Sequence, residues 1–293
     1  MMAFNRLSPA TQGILLMLLT IFMFSIMDAL AKGLAARYDT FQVVWARYSS
    51  QTLVAVIILL PRLKTVAKTR YFGLQLIRSA FLFIATMCFF FGIVLVGLAQ
   101  SSAIMSINPM LITIGAFLIL GEPLGLRRAL GVSLGLLGAL IVIRPGTDVF
   151  TPAALLPVVS AVCYAGYSLS TRFLGREESV WTSFLYTAAI GTVVASLIVP
   201  WFWTTPTLTD AALMLLLGAV GGMGQLSLIK ALSVAEAGAI APFAYIGPLL
   251  AAVWGVLFFN EIPDIWVWFG AVVIVGSGIY VWQREYRLAK SGG

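Results

Sequence analysis

The sequence contains no histidine, only two cysteines in 293 residues, and charged side chains at just 10%. Without histidine there is no His-based acid–base catalysis, no His metal ligand and no His proton relay. Cys88 and Cys163 both lie inside apolar runs, which points to packing rather than a disulfide or metal site. There is no Walker loop, zinc spacing or nucleophile elbow. No cofactor and no catalytic residue is expected. A soluble domain carries roughly 25% charged residues. A chain with so few cannot hide its apolar surface from water.

What is present is apolar sequence, 61% of the chain. The charges cluster between apolar runs of about 20 residues, the length that spans a bilayer core. The net charge of +7 sits on residues that flank these runs. It therefore reads as topology and contact with anionic lipid headgroups, and it excludes nucleic acid as a partner. Arg6, the run Ile14 to Met27 and the triplet Ala29-Leu30-Ala31 imitate a cleaved signal peptide. Asp28 interrupts that site, so the segment is expected to remain as a first span.

Ten spans are predicted, at 12–31, 41–60, 74–96, 99–120, 127–143, 153–172, 181–201, 211–232, 236–258 and 264–282. All are expected to be helices, since lipid offers no partner for an open strand edge. If the N-terminus is cytoplasmic, fourteen of the eighteen Lys and Arg fall on that side. Three, Lys32, Arg37 and Arg144, fall opposite, and Arg47 lies within a span. The positive-inside rule then places both termini in the cytoplasm of a bacterial inner-membrane protein.

The second half repeats the first. A shift of 139 residues places Pro109 on Pro248, Glu122 on Glu261 and Gly131 on Gly270. A shift of 140 places Lys32 on Arg172. With an odd number of spans per copy, the second copy must be inverted. The expected fold is an all-α integral membrane protein of two inverted five-helix repeats, 1–148 and 149–293. That architecture is one by which secondary transporters alternate access.

The residues that carry the repeat also carry a family likeness. Gln100-Ser101-Ser102-Ala103 to Pro109, Leu120-Gly121-Glu122-Pro123 and Gly131 to Gly138 resemble an EamA unit, the five-helix repeat of the drug/metabolite transporter superfamily. The second half resembles it again from Gly238 through Pro248 and Phe259-Asn260-Glu261 to Gly270. The resemblance implies a central cavity between the halves and a small organic substrate. A finer likeness rests on Asp28-x-x-x-Lys32, Arg47, Arg78, Lys230-Ala231, Ala241-Pro242-x-x-Tyr245 and Phe259-Asn260-Glu261-x-Pro263-Asp264. These resemble the branch with S-adenosylmethionine and riboflavin uptake carriers. The chain departs from that branch at Gly247-Pro248. Export of amino acids or amines is the alternative within the superfamily. An intramembrane lipid-modifying enzyme or a channel is the alternative outside it.

Intramembrane charges are costly and are functional candidates by default. Asp28 and Arg47 both fall in the outer third of the membrane, on spans one and two, where they could meet as a substrate-sensing or gating pair or as a fixed structural pair; the alternative is Arg47 snorkelling to headgroups. Lys230 and Arg78 lie at span ends, where anchoring competes with attraction of an anionic substrate group. Glu122 and Glu261 each precede a proline and are expected to end helices. Ser101, Ser102, Ser106 and Asn108-Pro109 give span four a polar centre. Pro109 there, and Pro242 and Pro248 in span nine, free backbone carbonyls for a ligand, water or another helix, or simply kink the helix. Tyr164, Tyr167, Ser168 and Thr171 mark one polar face of span six. Counted by depth, Trp45, Asn108, Tyr164 and Tyr245 could line a midplane site. Gly131-x-x-x-Gly135 and Gly218-x-x-x-Gly222 allow close helix packing within the subunit or in a homodimer.

Overall fold

The computed structural model describes residues 7–122, 126–143, 152–175 and 177–262, together with residues 265, 266, 269, 270, 272, 273 and 276. All regular structure among the described residues is helical. The helices are α1 (Pro9–Ala35), α2 (Thr40–Leu59), α3 (Leu63–Val66), α4 (Phe72–Leu95), α5 (Leu98–Met105), α6 (Asn108–Leu120), α7 (Leu126–Ile143), α8 (Leu155–Leu174), α9 (Val180–Ile198), α10 (Leu208–Val234), α11 (Ala237–Ile240) and α12 (Gly247–Phe259). Eight segments are long and apolar enough to cross a membrane, and they match eight of the predicted spans. α7 occupies the predicted fifth span. The predicted tenth, 264–282, lies largely outside the described residues.

Local chemistry sets the helix ends. Short connections end in N-caps: Ser8 accepts from the Thr11 N–H, Asp39 from Phe41, Ser179 from Trp181 and Thr207 from Asp210. At the other end, α6 and α12 stop in the same way. Gly121 (φ +66°) and Asn260 (φ +53°) turn left-handed. The N–H of the following residue, Glu122 or Glu261, then bonds the carbonyl six back, on Ala116 or Gly255. This is a Schellman-type stop.

Spans four and nine are broken at their centres. In span four, α5 gives way to α6 at Ser106-Ile107, with a proline in the first turn of α6. In span nine, α11 passes through a 3-10 turn, Ala241–Ile246, into α12, which also opens with proline. Proline cannot donate the helical bond, so the breaks fall at Pro109 in span four and between Pro242 and Pro248 in span nine.

Helices meet closely where glycine permits it. A Cβ on Gly218 would lie 2.3 Å from the Ser50 Cβ and 2.9 Å from the Arg47 carbonyl, so α10 lies against the backbone of α2. A Cβ on Gly135 would lie 2.2 Å from the Tyr245 ring. Both glycines are therefore used inside the subunit. The outer surface is apolar, with Leu118, Ile119, Leu257 and Phe258 all exposed, as lipid contact requires.

Consecutive spans define two faces. The near face is where α1 begins, and it also holds the end of α10 and the start of α11. The far face is where α1 ends, beside the start of α10. There Asp210 takes Arg37 at 2.7 Å and the Tyr38 hydroxyl at 2.8 Å.

Candidate functional site

Between the faces lies a cavity of about 140 Å³. α1 contributes Met17 through Asp28, α2 contributes Arg47, and α4 contributes Leu82 through Phe90. Span four brings Ser102, Met105, Ser106, Asn108 and Pro109, α8 brings Ser160 and Tyr164, and span nine brings Ala244, Gly247, Pro248 and Ala251. Both broken spans thus open onto the cavity at their breaks. The amino-terminal ends of α6 and α12, which carry the positive ends of the helix dipoles, begin there.

Most polar groups in the lining are committed to holding it. The Asn108 amide donates to the Ala161 carbonyl at 2.7 Å, fixing span four to α8. The Ser160 hydroxyl donates to the Ala85 carbonyl at 2.8 Å, fixing α8 to α4. Ser25 accepts from the Trp254 indole at 3.0 Å. Thr20 donates to the Leu16 carbonyl at 2.8 Å.

Arg47 and Asp28 share the cavity but do not form the expected ion pair. The Arg47 guanidinium is 2% exposed. Its Nη1 donates to the Thr86 hydroxyl at 3.0 Å and its Nε faces the Met27 sulfur at 3.2 Å. The charge lies 4.6 Å from the centre of the Tyr48 ring, and Tyr48 in turn shares a hydrogen bond with Thr86. These contacts engage Arg47 with Met27 of α1, Thr86 of α4 and the neighbouring Tyr48 instead of with the Asp28 carboxylate. One Asp28 oxygen, Oδ1, is buried without a hydrogen-bond partner. The Tyr164 hydroxyl takes no part in a hydrogen bond among the described residues.

Four other candidates lie elsewhere. Trp45 points away from the cavity, bonding Ser196 at 3.0 Å and meeting Trp203 edge-on. Lys230 is exposed to the surroundings, consistent with anchoring. Tyr245 is fully buried against Gly135. Tyr167 is fully buried in a second polar cluster around Arg78. Their rotation about the helix axis turns these side chains away from the cavity. The polar face of span six is accordingly divided: Tyr164 meets the cavity, while Tyr167 and Thr171 meet Arg78.

Arg78 is not a headgroup anchor. It is fully buried, donating to the Ser183 carbonyl and the Thr187 hydroxyl, and to Thr171 at 3.2 Å and Tyr167 at 3.4 Å. The Tyr167 hydroxyl also takes the Gln225 amide. One guanidinium therefore ties α4 to α8 and α9, and through Tyr167 to α10.

The sequence reading missed Thr86, Phe24, Phe89 and Phe90, all in the lining. In a span that is apolar on every side, a phenylalanine facing a cavity looks like one facing lipid.

An ion pair between the two halves of the chain lies at each face. At the near face, Glu122 takes Arg172 Nε at 2.8 Å and the Gly238 N–H at 3.3 Å, while Arg172 also donates to the Leu232 carbonyl at 3.0 Å. At the far face, Glu261 takes Lys32, which also lies 4.8 Å from the Phe259 ring centre.

Comparison with known proteins gives this arrangement a context. The chain is 25% identical over 287 residues to the S-adenosylmethionine uptake transporter of Rickettsia prowazekii, covering 98% of each. It is 32% identical over 269 residues to the pseudopaline exporter of Pseudomonas aeruginosa, covering 90% of this chain and 93% of that one. It is 29% identical over 286 residues to the riboflavin transporter of Vibrio cholerae, covering 95% of each. A solved crystal structure with 18% identity shares the fold at a TM-score of 0.79, over 95% of this chain and 99% of that one. The model of the EamA-like transporter family matches twice, over residues 11–144 and 151–282. The chain belongs to the EamA-like transporter family and is a transporter, not an enzyme.

Proposed function

We propose that the protein is a secondary transporter that carries a small organic metabolite across the bacterial inner membrane by alternating access. The moving parts are two inverted five-helix repeats, 1–148 and 149–293, ten helices in all. The substrate sits in the cavity between them, and the near face is cytoplasmic, as the Lys and Arg distribution requires.

The observation that carries this reading is the crosswise ion pairing. Glu122 of the first half holds Arg172 of the second, and Glu261 of the second half holds Lys32 of the first. The two pairs exchange under the repeat and lie at opposite faces. Helix packing obeys the same exchange. α1 packs on α10 as α8 packs on α4, α1 on α12 as α8 on α6, and α2 on α10 as α9 on α4. In an alternating-access cycle the two pairs break in turn, each opening its own face. Gly135 and Gly218 are occupied inside the subunit, so a homodimer would have to pack through other positions.

The lining is apolar and aromatic with a few polar groups, which suits an amphipathic metabolite such as S-adenosylmethionine or riboflavin. The relatives include uptake carriers and an exporter, so the direction of transport is left to experiment. Proteoliposomes holding the full chain and loaded with unlabelled S-adenosylmethionine or riboflavin should accumulate the labelled compound with saturation. Flux that rises linearly without saturation would identify a pore instead.

A further inference from the structure

The cavity holds one acid and one base that do not satisfy each other, and this separation says what the substrate must carry. A buried charge is costly unless paired. Arg47 is buried and has no carboxylate partner among the described residues. Its Nε and Nη1 are taken by Met27 and Thr86, and among the described residues no hydrogen bond uses Nη2. Asp28 has a buried oxygen with no hydrogen-bond partner among the described residues. A structural pair would have closed these two groups on each other. Here Arg47 is engaged by Met27 and Thr86 and not by Asp28, and both groups line the same cavity with Tyr164. The rest of the lining, with Phe24, Phe89 and Phe90, is apolar and aromatic.

We propose that the substrate is a zwitterion. Its cationic group meets Asp28, its carboxylate meets Arg47, and its apolar or aromatic body rests against the phenylalanines. The substrate then supplies each buried charge with its missing partner. Arg47 suits a carboxylate because its planar fork can donate two hydrogen bonds. The positive ends of α6 and α12 open onto the same cavity and favour an anionic group there. An uncharged metabolite of similar size would leave both charges unpaired, and the site would reject it on that ground.

This inference rests on the cavity being the substrate site, and the test separates the two claims. Binding is measured by thermal shift and by titration on the purified full chain with two zwitterions, S-adenosylmethionine and L-tryptophan. Each is compared with its analogue lacking the carboxylate, decarboxylated S-adenosylmethionine and tryptamine, and riboflavin serves as an uncharged ligand. At least one zwitterion should bind at least tenfold more tightly than its decarboxylated analogue. Arg47→Gln should erase that difference, and Asp28→Asn should weaken the zwitterion without restoring the analogue. The wild-type comparison needs no variant, so misfolding of either variant does not rescue the proposal. In a chain carrying Cys88→Ser, Cys163→Ser and Ser102→Cys, alkylation of the thiol at position 102 should abolish binding. If riboflavin binds, neither zwitterion does, and alkylation blocks it, the cavity stands and the zwitterion is wrong. Failure of both zwitterions, or equal binding by the decarboxylated analogues, also overturns the proposal. Binding that survives alkylation overturns the cavity as the site.

Discussion

Glu122 sits at the end of α6 and holds Arg172 of α8 across 2.8 Å while also receiving the Gly238 N–H at the start of α11. Three helices from two halves of the chain converge on one carboxylate. This pair is buried, with side-chain exposures of 4% and 10%, whereas the matching Lys32–Glu261 pair is at 15% and 36%. The magnitudes then differ. Removing one partner of a buried pair costs about 3–5 kcal/mol, while an exposed pair is worth about 0–1 kcal/mol.

Neutralising the near-face pair should therefore do more harm than neutralising the far-face one. Glu122→Gln is expected to lower transport at least tenfold with the protein still in the membrane, and Glu261→Gln by only a few-fold. The reciprocal exchange of Glu122 and Arg172 should recover part of the loss. Initial uptake rates in proteoliposomes, normalised to protein, provide the check.

Arg78 should prove structural. Replacing it with alanine leaves the Ser183 carbonyl and the Thr187, Thr171 and Tyr167 hydroxyls without their donor. A loss of about 3 kcal/mol or more is expected, read as a thermal midpoint several degrees lower. Lysine lacks the planar fork, so Arg78→Lys should recover little of it.

Tyr245 should behave as a packing residue. Its ring fills the space over Gly135, and truncation to alanine leaves a cavity costing about 3 kcal/mol. The amount of folded protein in the membrane should fall, with KM unchanged in what remains. Gly135→Leu should be worse, since even a Cβ there meets the ring.

Glu178 fastens the near-face connection between α8 and α9 to the start of α4. It accepts from the Thr69 hydroxyl, from the Arg70 N–H at 2.9 Å and from the Gln75 amide at 2.7 Å. Partial burial pushes its carboxyl up, but these hydrogen bonds outweigh burial and hold it below the ordinary glutamate range. A carboxyl lowered by folding adds stability above its unfolded value and loses it as pH falls through the folded one. The thermal midpoint of the wild type should therefore drop more than that of Glu178→Gln as pH is lowered below the ordinary glutamate range.

Much of the fold was legible because bilayer length and short capped connections define a span without tertiary information. The breaks in spans four and nine followed from Pro109, Pro242 and Pro248, and the helix stops from Glu122 and Glu261, each followed by a proline within two residues; the left-handed turns at Gly121 and Asn260 were not read. Depth along a span could also be counted, which brought Asp28, Arg47, Asn108 and Tyr164 to the cavity. Rotation about the helix axis could not. It depends on which neighbour a side chain meets, and an apolar span gives no polar stripe to fix it. Tyr245, Trp45 and Tyr167 were misplaced for that reason, and Phe24, Phe89 and Phe90 were passed over.

Alternating access to a single central cavity is tested most directly by a thiol at Ser102. Ser102 lines the cavity, and its backbone carbonyl already serves Ser106. In the chain with Cys88 and Cys163 replaced by serine, a membrane-impermeant thiol reagent is added to one side or the other of sealed vesicles. The account predicts that Ser102→Cys is modified from either side and that substrate slows both reactions. Modification from one side alone under every condition, or from neither, would contradict it.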